Sequence, residues 1–117
     1  MLFKNSYYWG LWAEFIARIF LRFRGFRIVK SRYITGKFTR RAEIDIIARR
    51  GNLVVFIEVK NRPSVSAAFD AITINQRARL RRAATTWIAR NGWRGDARFD
   101  VIVVIRGWRV KWFRNAI

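Results

Sequence analysis

Two β-type runs, Ala42–Ile47 and Leu53–Lys60, are joined through Arg50-Gly51-Asn52, and they carry three of the chain's seven carboxylates, Glu43, Asp45 and Glu58. A two-residue Gly-Asn loop suits a type II′ hairpin turn, whose first central position needs glycine. Arg50 and Leu53 then close the hairpin, so Asp45 is expected opposite Glu58 and Glu43 opposite Lys60. Side chains alternate along a strand, which places Glu43, Asp45, Glu58 and Lys60 on one face. A loop one residue longer would send Asp45 and Glu58 to opposite faces. The shared face therefore rests on the length of that turn.

Val54 and Phe56 share the face of Glu58, which makes it largely apolar, and carboxylates are costly there unless a cation or hydrogen-bond donors meet them. Two carboxylates about 5 Å apart repel by roughly 3 kcal/mol at an effective dielectric near 20. Lys60 can neutralise one charge. Two facing acids with a backbone carbonyl also form the partial oxygen shell that Mg²⁺ accepts while keeping several waters. The chain has no Cys and no His, so softer ligands for a transition-metal site are missing. On these residues alone, a metal or catalytic site stands beside the plainer alternative of a charged face on a solvated strand.

At 117 residues the chain reads as one domain over 1–117, long enough to bury about two-thirds of its extended surface. A hydrophobic fraction of 52% excludes disorder as the main state, and a net charge of +18 points to an anionic partner, nucleic acid or an acidic membrane surface. The absence of Cys excludes a disulfide scaffold and fits a cytoplasmic setting. Tyr7–Phe23 is strongly apolar, but Glu14, Arg18 and Arg22 interrupt it, so a packed helix is expected rather than a membrane span, and no stable membrane insertion. Its core stripe reads as Leu11, Phe15, Ile19 and Phe23, flanked by Trp12, Ile16 and Phe20, with Gly25 ending it. Amphipathic docking on a membrane is the alternative for that helix.

Phe26–Tyr33 alternates as an edge strand, and a basic loop, Thr35–Arg41, leads into the hairpin. Asn61–Ala71, with the only proline, Pro63, reads as a loop. Thr73 is a candidate N-cap for a helix to about Asn91 and Gly92, with Gln76, Leu80, Ala83, Trp87 and Ile88 inward and Arg77, Arg81, Arg82 and Arg90 outward. Arg98–Ile105 is a strong strand and Gly107–Phe113 a final edge strand. Trp87, Trp108 and Trp112 lie on apolar stripes and are expected in the core, whereas Trp93, between Gly92 and Gly95, is the candidate for exposure.

The segments Ala42-Glu43-Ile44-Asp45, Phe56-Ile57-Glu58-Val59-Lys60-Asn61-Arg62 and Arg98-Phe99-Asp100-Val101-Ile102 resemble those of the YraN-like uncharacterised proteins, placed in the restriction-endonuclease-like PD-(D/E)xK superfamily. Glu14, Ala17, Leu21 and Gly25-Phe26 fit that family's first helix, and Asn115-Ala116-Ile117 its C-terminal signature. The resemblance implies an α/β restriction-endonuclease-like core: helix, three-stranded antiparallel meander, helix, strand, and a short C-terminal edge strand. It makes Asp45 and Glu58 metal ligands beside the Val59 carbonyl, with Mg²⁺ or Mn²⁺ as cofactor. Lys60 becomes the lysine that assists the attacking water and Glu14 reaches the site from the first helix; Glu43, from the shared strand face, joins the catalytic candidates, as does Gln76, with orienting water or phosphate and capping a neighbouring backbone group as its two readings. Ala42 stands where the family usually has Gly, and Gln76 where it commonly has Lys.

The function these observations suggest is an Mg-dependent nuclease hydrolysing phosphodiester bonds, with DNA ahead of RNA as partner. Lys37, Arg40, Arg41, Arg62, Arg77 and Arg81 are the candidate phosphate contacts. A non-catalytic nucleic-acid-binding module on the same fold is the alternative, and a structural or membrane-surface protein the third reading. Intact Asp45, Glu58 and Lys60 favour the enzyme, while the charge suits all three.

Overall fold

The structure, a computed structural model, describes residues 6–36 and 40–117. Its order is α1 (Ser6–Phe23), β1 (Arg27–Thr35), β2 (Ala42–Arg50), β3 (Leu53–Asn61), α2 (Val65–Asp70), α3 (Ile74–Asn91), β4 (Asp96–Ile105) and β5 (Arg109–Phe113). The strands form one five-stranded sheet in chain order. β1, β2 and β3 are antiparallel neighbours, β4 runs parallel to β3, and β5 returns antiparallel on β4. A parallel neighbour requires a crossover, and α2 and α3 supply it. The result is a mixed α/β fold in which α1 covers one face of the sheet and α3 the other. No described helix is long and apolar enough to cross a membrane.

Both long helices stop where the chain turns left-handed at a glycine. Phe26 N–H donates to Leu21 O at 3.0 Å and Gly25 N–H to Arg22 O at 3.0 Å, with Gly25 at φ 82°. That is a Schellman cap, completed by burial of Leu21 and Phe26 in the same cluster. Gly92 ends α3 in the same way at φ 57°, with Trp93 N–H donating to Ile88 O. At the other end of α3, Thr73 Oγ1 accepts from Gln76 N–H at 3.0 Å, the expected N-cap.

The structure corrects four expectations. Residues 61–71 are not all loop: Ser64 caps the six-residue α2, accepting from Ala67 N–H at 3.1 Å, and a helix this short shows no periodicity in sequence. α1 buries Ala13, Glu14, Ala17 and Leu21, whereas Phe15 is exposed and Phe23 is 84% exposed. Alanines at four-residue spacing let the helix approach the sheet, so small side chains, not the large aromatic stripe, define the inner face. Trp108 is 71% exposed because Arg106 and Gly107, at φ 55° and 80°, turn the chain before β5 begins. Trp93 packs against the α3-side cluster and donates from Nε1 to Asp96 O at 3.0 Å.

The hairpin has the expected two-residue turn. Arg50 pairs with Leu53, Gly51 has φ 59° and Asn52 a negative φ, as type II′ requires. The ladder between β2 and β3 nevertheless stops at Ile46 and Ile57, one step short of Asp45 and Glu58. Ile46 and Ala48 pack on the α1 side and Ile47 on the α3 side, yet Ala42 and Ile44 also pack on the α3 side. Strict alternation is therefore broken at Asp45. The expected direct pairings of Asp45 with Glu58 and Glu43 with Lys60 are not formed, because the backbone departs from the ladder where the carboxylate enters it.

Candidate active site

β3 is regular through the site. Val54 and Phe56 pack under α3, Val55, Ile57 and Val59 under α1, and Glu58 and Lys60 continue the first series. Glu58 is thus delivered to the α3 face by simple alternation and is only 4% exposed. Two nitrogens meet its Oε1: Gln76 Nε2 donates at 2.9 Å from the first turn of α3, and Lys60 Nζ lies at 3.2 Å. Lys60 is itself mostly covered, so its ammonium is held against the acid rather than dispersed in solvent.

Asp45 reaches the same place by the irregularity in β2. Its Oδ2 accepts the backbone N–H of Val59 at 2.8 Å, a side-chain bond at the point where the β2–β3 ladder has ended. Across β1, Ser31 pairs with Ile46 and Tyr33 with Ile44, which leaves Arg32 abreast of Asp45, at φ 54°. A left-handed non-glycine residue costs about 1–3 kcal/mol. The forked bonds from Arg32 Nε and Nη2 to Glu14, 3.0 and 3.3 Å, help offset it.

Asp45, Glu58, Glu43, Gln76, Arg41, Arg79 and Ala42 line one cavity of about 450 Å³. The two acids therefore face a common space, as the turn-length argument required, although by a different backbone route. Desolvation is the largest cause acting on both: it lifts Asp45 well above the ordinary carboxylate range, with the Glu58 charge adding to it, and lifts Glu58 as well, against the opposing pull of Lys60. Asp45 keeps some solvent access through the cavity, but enough protein surrounds it for burial to dominate. Carboxylates held above their normal values without a cation are suited to receiving one.

The remaining candidates are placed as follows. Glu43 lines the cavity and pairs with Arg41 at 3.6 Å on its rim. Glu14, nearly buried, is engaged by Arg32 and does not line the cavity, though its negative charge raises Asp45 further. Arg62 donates to its neighbour's carbonyl, Asn61 O, at 2.8 Å. Arg77 and Arg81 are exposed on α3. Lys37 lies outside the described residues. Sequence reasoning did not single out Arg79, which faces the acids from one helical turn past Gln76. It also gave no role to Asp100, fully buried and bound by Arg98, by Trp112 Nε1 and by Asn115 N–H.

The raised carboxylates set a pH dependence for folding. A group whose folded value exceeds its unfolded one binds more protons in the folded state, so its stabilising contribution is full below the unfolded value and is lost as pH rises towards the folded value. Asp45→Asn, which keeps an oxygen for Val59 N–H, is expected to raise stability at neutral pH in chelator by about 0.5–2 kcal/mol. The gain should vanish near and below about pH 4, where the free Asp is protonated too. Thermal unfolding across pH measures this, and a variant less stable than wild type at pH 7 would refute it.

A mixed α/β domain with two raised carboxylates and a lysine at the end of a β-hairpin is the class that fold and site define. An alignment profile for the uncharacterised protein family UPF0102 matches residues 13–104. The chain belongs to this family. It is 40% identical over 109 residues to a UPF0102 protein of Rhizobium leguminosarum bv. trifolii, covering 92% of this chain and 86% of that protein. It is 44% identical over 99 residues to one from Rhizobium meliloti, 83% and 77% of the two chains, and 37% identical over 103 residues to one from Paramagnetospirillum magneticum, 86% and 79%.

Proposed function

We propose that this protein is a metal-dependent nuclease built on a restriction-endonuclease-like, PD-(D/E)xK core. The observation that carries the reading is the convergence of Asp45 and Glu58 on one cavity with the Lys60 ammonium 3.2 Å from Glu58. The sheet supports it: an antiparallel meander bears the acids, and a helical crossover returns to a parallel strand.

Among the described residues no group of three or more acidic, His or Cys side chains converges to hold a metal. The pair Asp45 and Glu58 nevertheless suits Mg²⁺ or Mn²⁺, hard cations that bind through one or two carboxylates and keep several waters, with the Val59 carbonyl as the candidate third protein oxygen. What the ion supplies when bound is positive charge at the phosphate oxygens and a lower pKa for a coordinated water. The chain's own residues do the rest. Gln76 fixes the Glu58 rotamer through Oε1, the Val59 N–H fixes Asp45, and Lys60 presents a positive charge where the phosphorane develops negative charge. Glu43 and Arg41 border the entrance.

A binding module without catalysis is the second reading, favoured by the arginines that surround the acids. The test is a panel of single-stranded, duplex and branched oligonucleotides incubated with purified protein in Mg²⁺ or in chelator. Cleavage confined to the Mg²⁺ arm is the expected result. Binding with no metal-dependent cleavage of any substrate would leave the module.

A further inference from the structure

Beside the carboxylate cavity lies a second one of about 350 Å³, lined by Arg40, Arg41, Asn75, Ala78, Arg79 and Arg82. Arg41 and Arg79 line both, so the two spaces adjoin. Asn75, Arg79 and Arg82 recur at four and three residues along α3, which brings them to one stripe of the helix. Arg40 and Arg41 come from the chain entering β2, and Arg82 Nη2 ties the two elements by donating to Arg40 O at 3.3 Å.

Four guanidiniums border this cavity, and arginine cannot shed its proton to relieve the repulsion. Their acidic company is sparse. Glu43 reaches Arg41 at 3.6 Å, and among the described residues Arg40, Arg79 and Arg82 form no ion pair with a carboxylate. Planar forks converging from a helix and a strand entrance match the geometry of a phosphate, which they can grip through paired N–H bonds, with the Asn75 amide as a neutral donor.

We propose that this cavity is a phosphate subsite that holds the phosphodiester next to the scissile one on the same nucleic acid strand. The word scissile rests on the nuclease reading above; the phosphate class rests on the arginines alone. On this assignment the strand runs from the acids over Arg79 and Arg41 into the basic cavity. Arg77 and Arg81, the helix arginines the sequence pointed to, line neither cavity and lie outside that path.

The test compares two pairs on one helix that remove equal charge. Binding of fluorescein-labelled single-stranded and duplex oligonucleotides is followed by anisotropy in chelator over a salt series, with thermal unfolding of each variant as the check on folding. Arg79→Gln with Arg82→Gln is expected to flatten the log–log salt slope by about 1.4–1.8, two phosphate contacts' worth. Arg77→Gln with Arg81→Gln should flatten it by less than half as much. Equal effects of the two pairs, or a larger effect of the outer one, would overturn the subsite in favour of diffuse surface charge. Because no metal is present, the result is independent of cleavage: a flattened slope in a protein that cuts nothing upholds the phosphate site and removes the nuclease, while Mg²⁺-dependent cleavage with an unchanged slope does the reverse.

Discussion

Glu58→Gln is expected to reduce Mg²⁺-dependent cleavage by at least about a hundredfold, since even partners one step removed from a metal ligand cost 10–100-fold when lost. The substitution preserves shape and removes one ligand charge from a cavity where Lys60 and Gln76 already occupy Oε1. The fold should survive, because the raised state of Glu58 shows that its anion is not a net stabiliser there. Affinity for nucleic acid in chelator should hold or rise, one anion having left the neighbourhood of the phosphates. Lys60→Ala should separate from it. Its charge matters most in the transition state, so the rate should fall by about 10²–10³ while metal affinity is largely kept. Single-turnover rates over a metal titration distinguish the two profiles.

The second large effect concerns stability and comes from β4, where Asp100 lies abreast of Ile57, the residue before Glu58. Asp100 accepts Arg98 Nε and Nη2, Trp112 Nε1 and Asn115 N–H, all at 2.8 Å, and is fully buried. It thereby fastens β5 and the C-terminal residues to β4, where Ala116 N–H also reaches Phe99 O at 2.9 Å. Asp100→Ala would strand a guanidinium, an indole N–H and a backbone N–H. Breaking one partner of a buried pair typically costs about 3–5 kcal/mol. Denaturant unfolding should show a loss of that order, and a change below 1 kcal/mol would mean that water replaces the carboxylate freely.

The hairpin was legible because its information is local. Gly51-Asn52 specifies the turn, and the turn sets which residues close it. The break at Asp45 was not, since it depends on Arg32 adopting a left-handed conformation thirteen residues upstream and on Glu14 from another element holding it there. Nothing in the spacing of Ala42–Ile47 announces that a side chain will replace a ladder bond. α1 misled for a different reason: it is apolar on both sides, so periodicity could not tell the aromatic stripe from the alanine one, and only close approach to the sheet selects Ala13 and Ala17. On α3 the inward face was read correctly, as burial of Leu80, Ala83 and Trp87 shows. Which arginines flank the acids depended instead on where Arg40 and Arg41 come to rest, a tertiary fact. Asp100 could have been noticed as a lone acid in an apolar strand, the same signal that exposed Glu58.

Everything proposed for the site requires that Asp45 and Glu58 together take up a divalent cation. Titration of Mn²⁺ into the purified protein, followed by calorimetry and by loss of the free-ion paramagnetic signal, measures this directly. One saturable site is expected in wild type, absent or greatly weakened in Asp45→Asn and Glu58→Gln, with affinity strengthening as rising pH removes the protons that compete at the two raised carboxylates. No saturable binding in wild type, or the same binding in both variants, would contradict it.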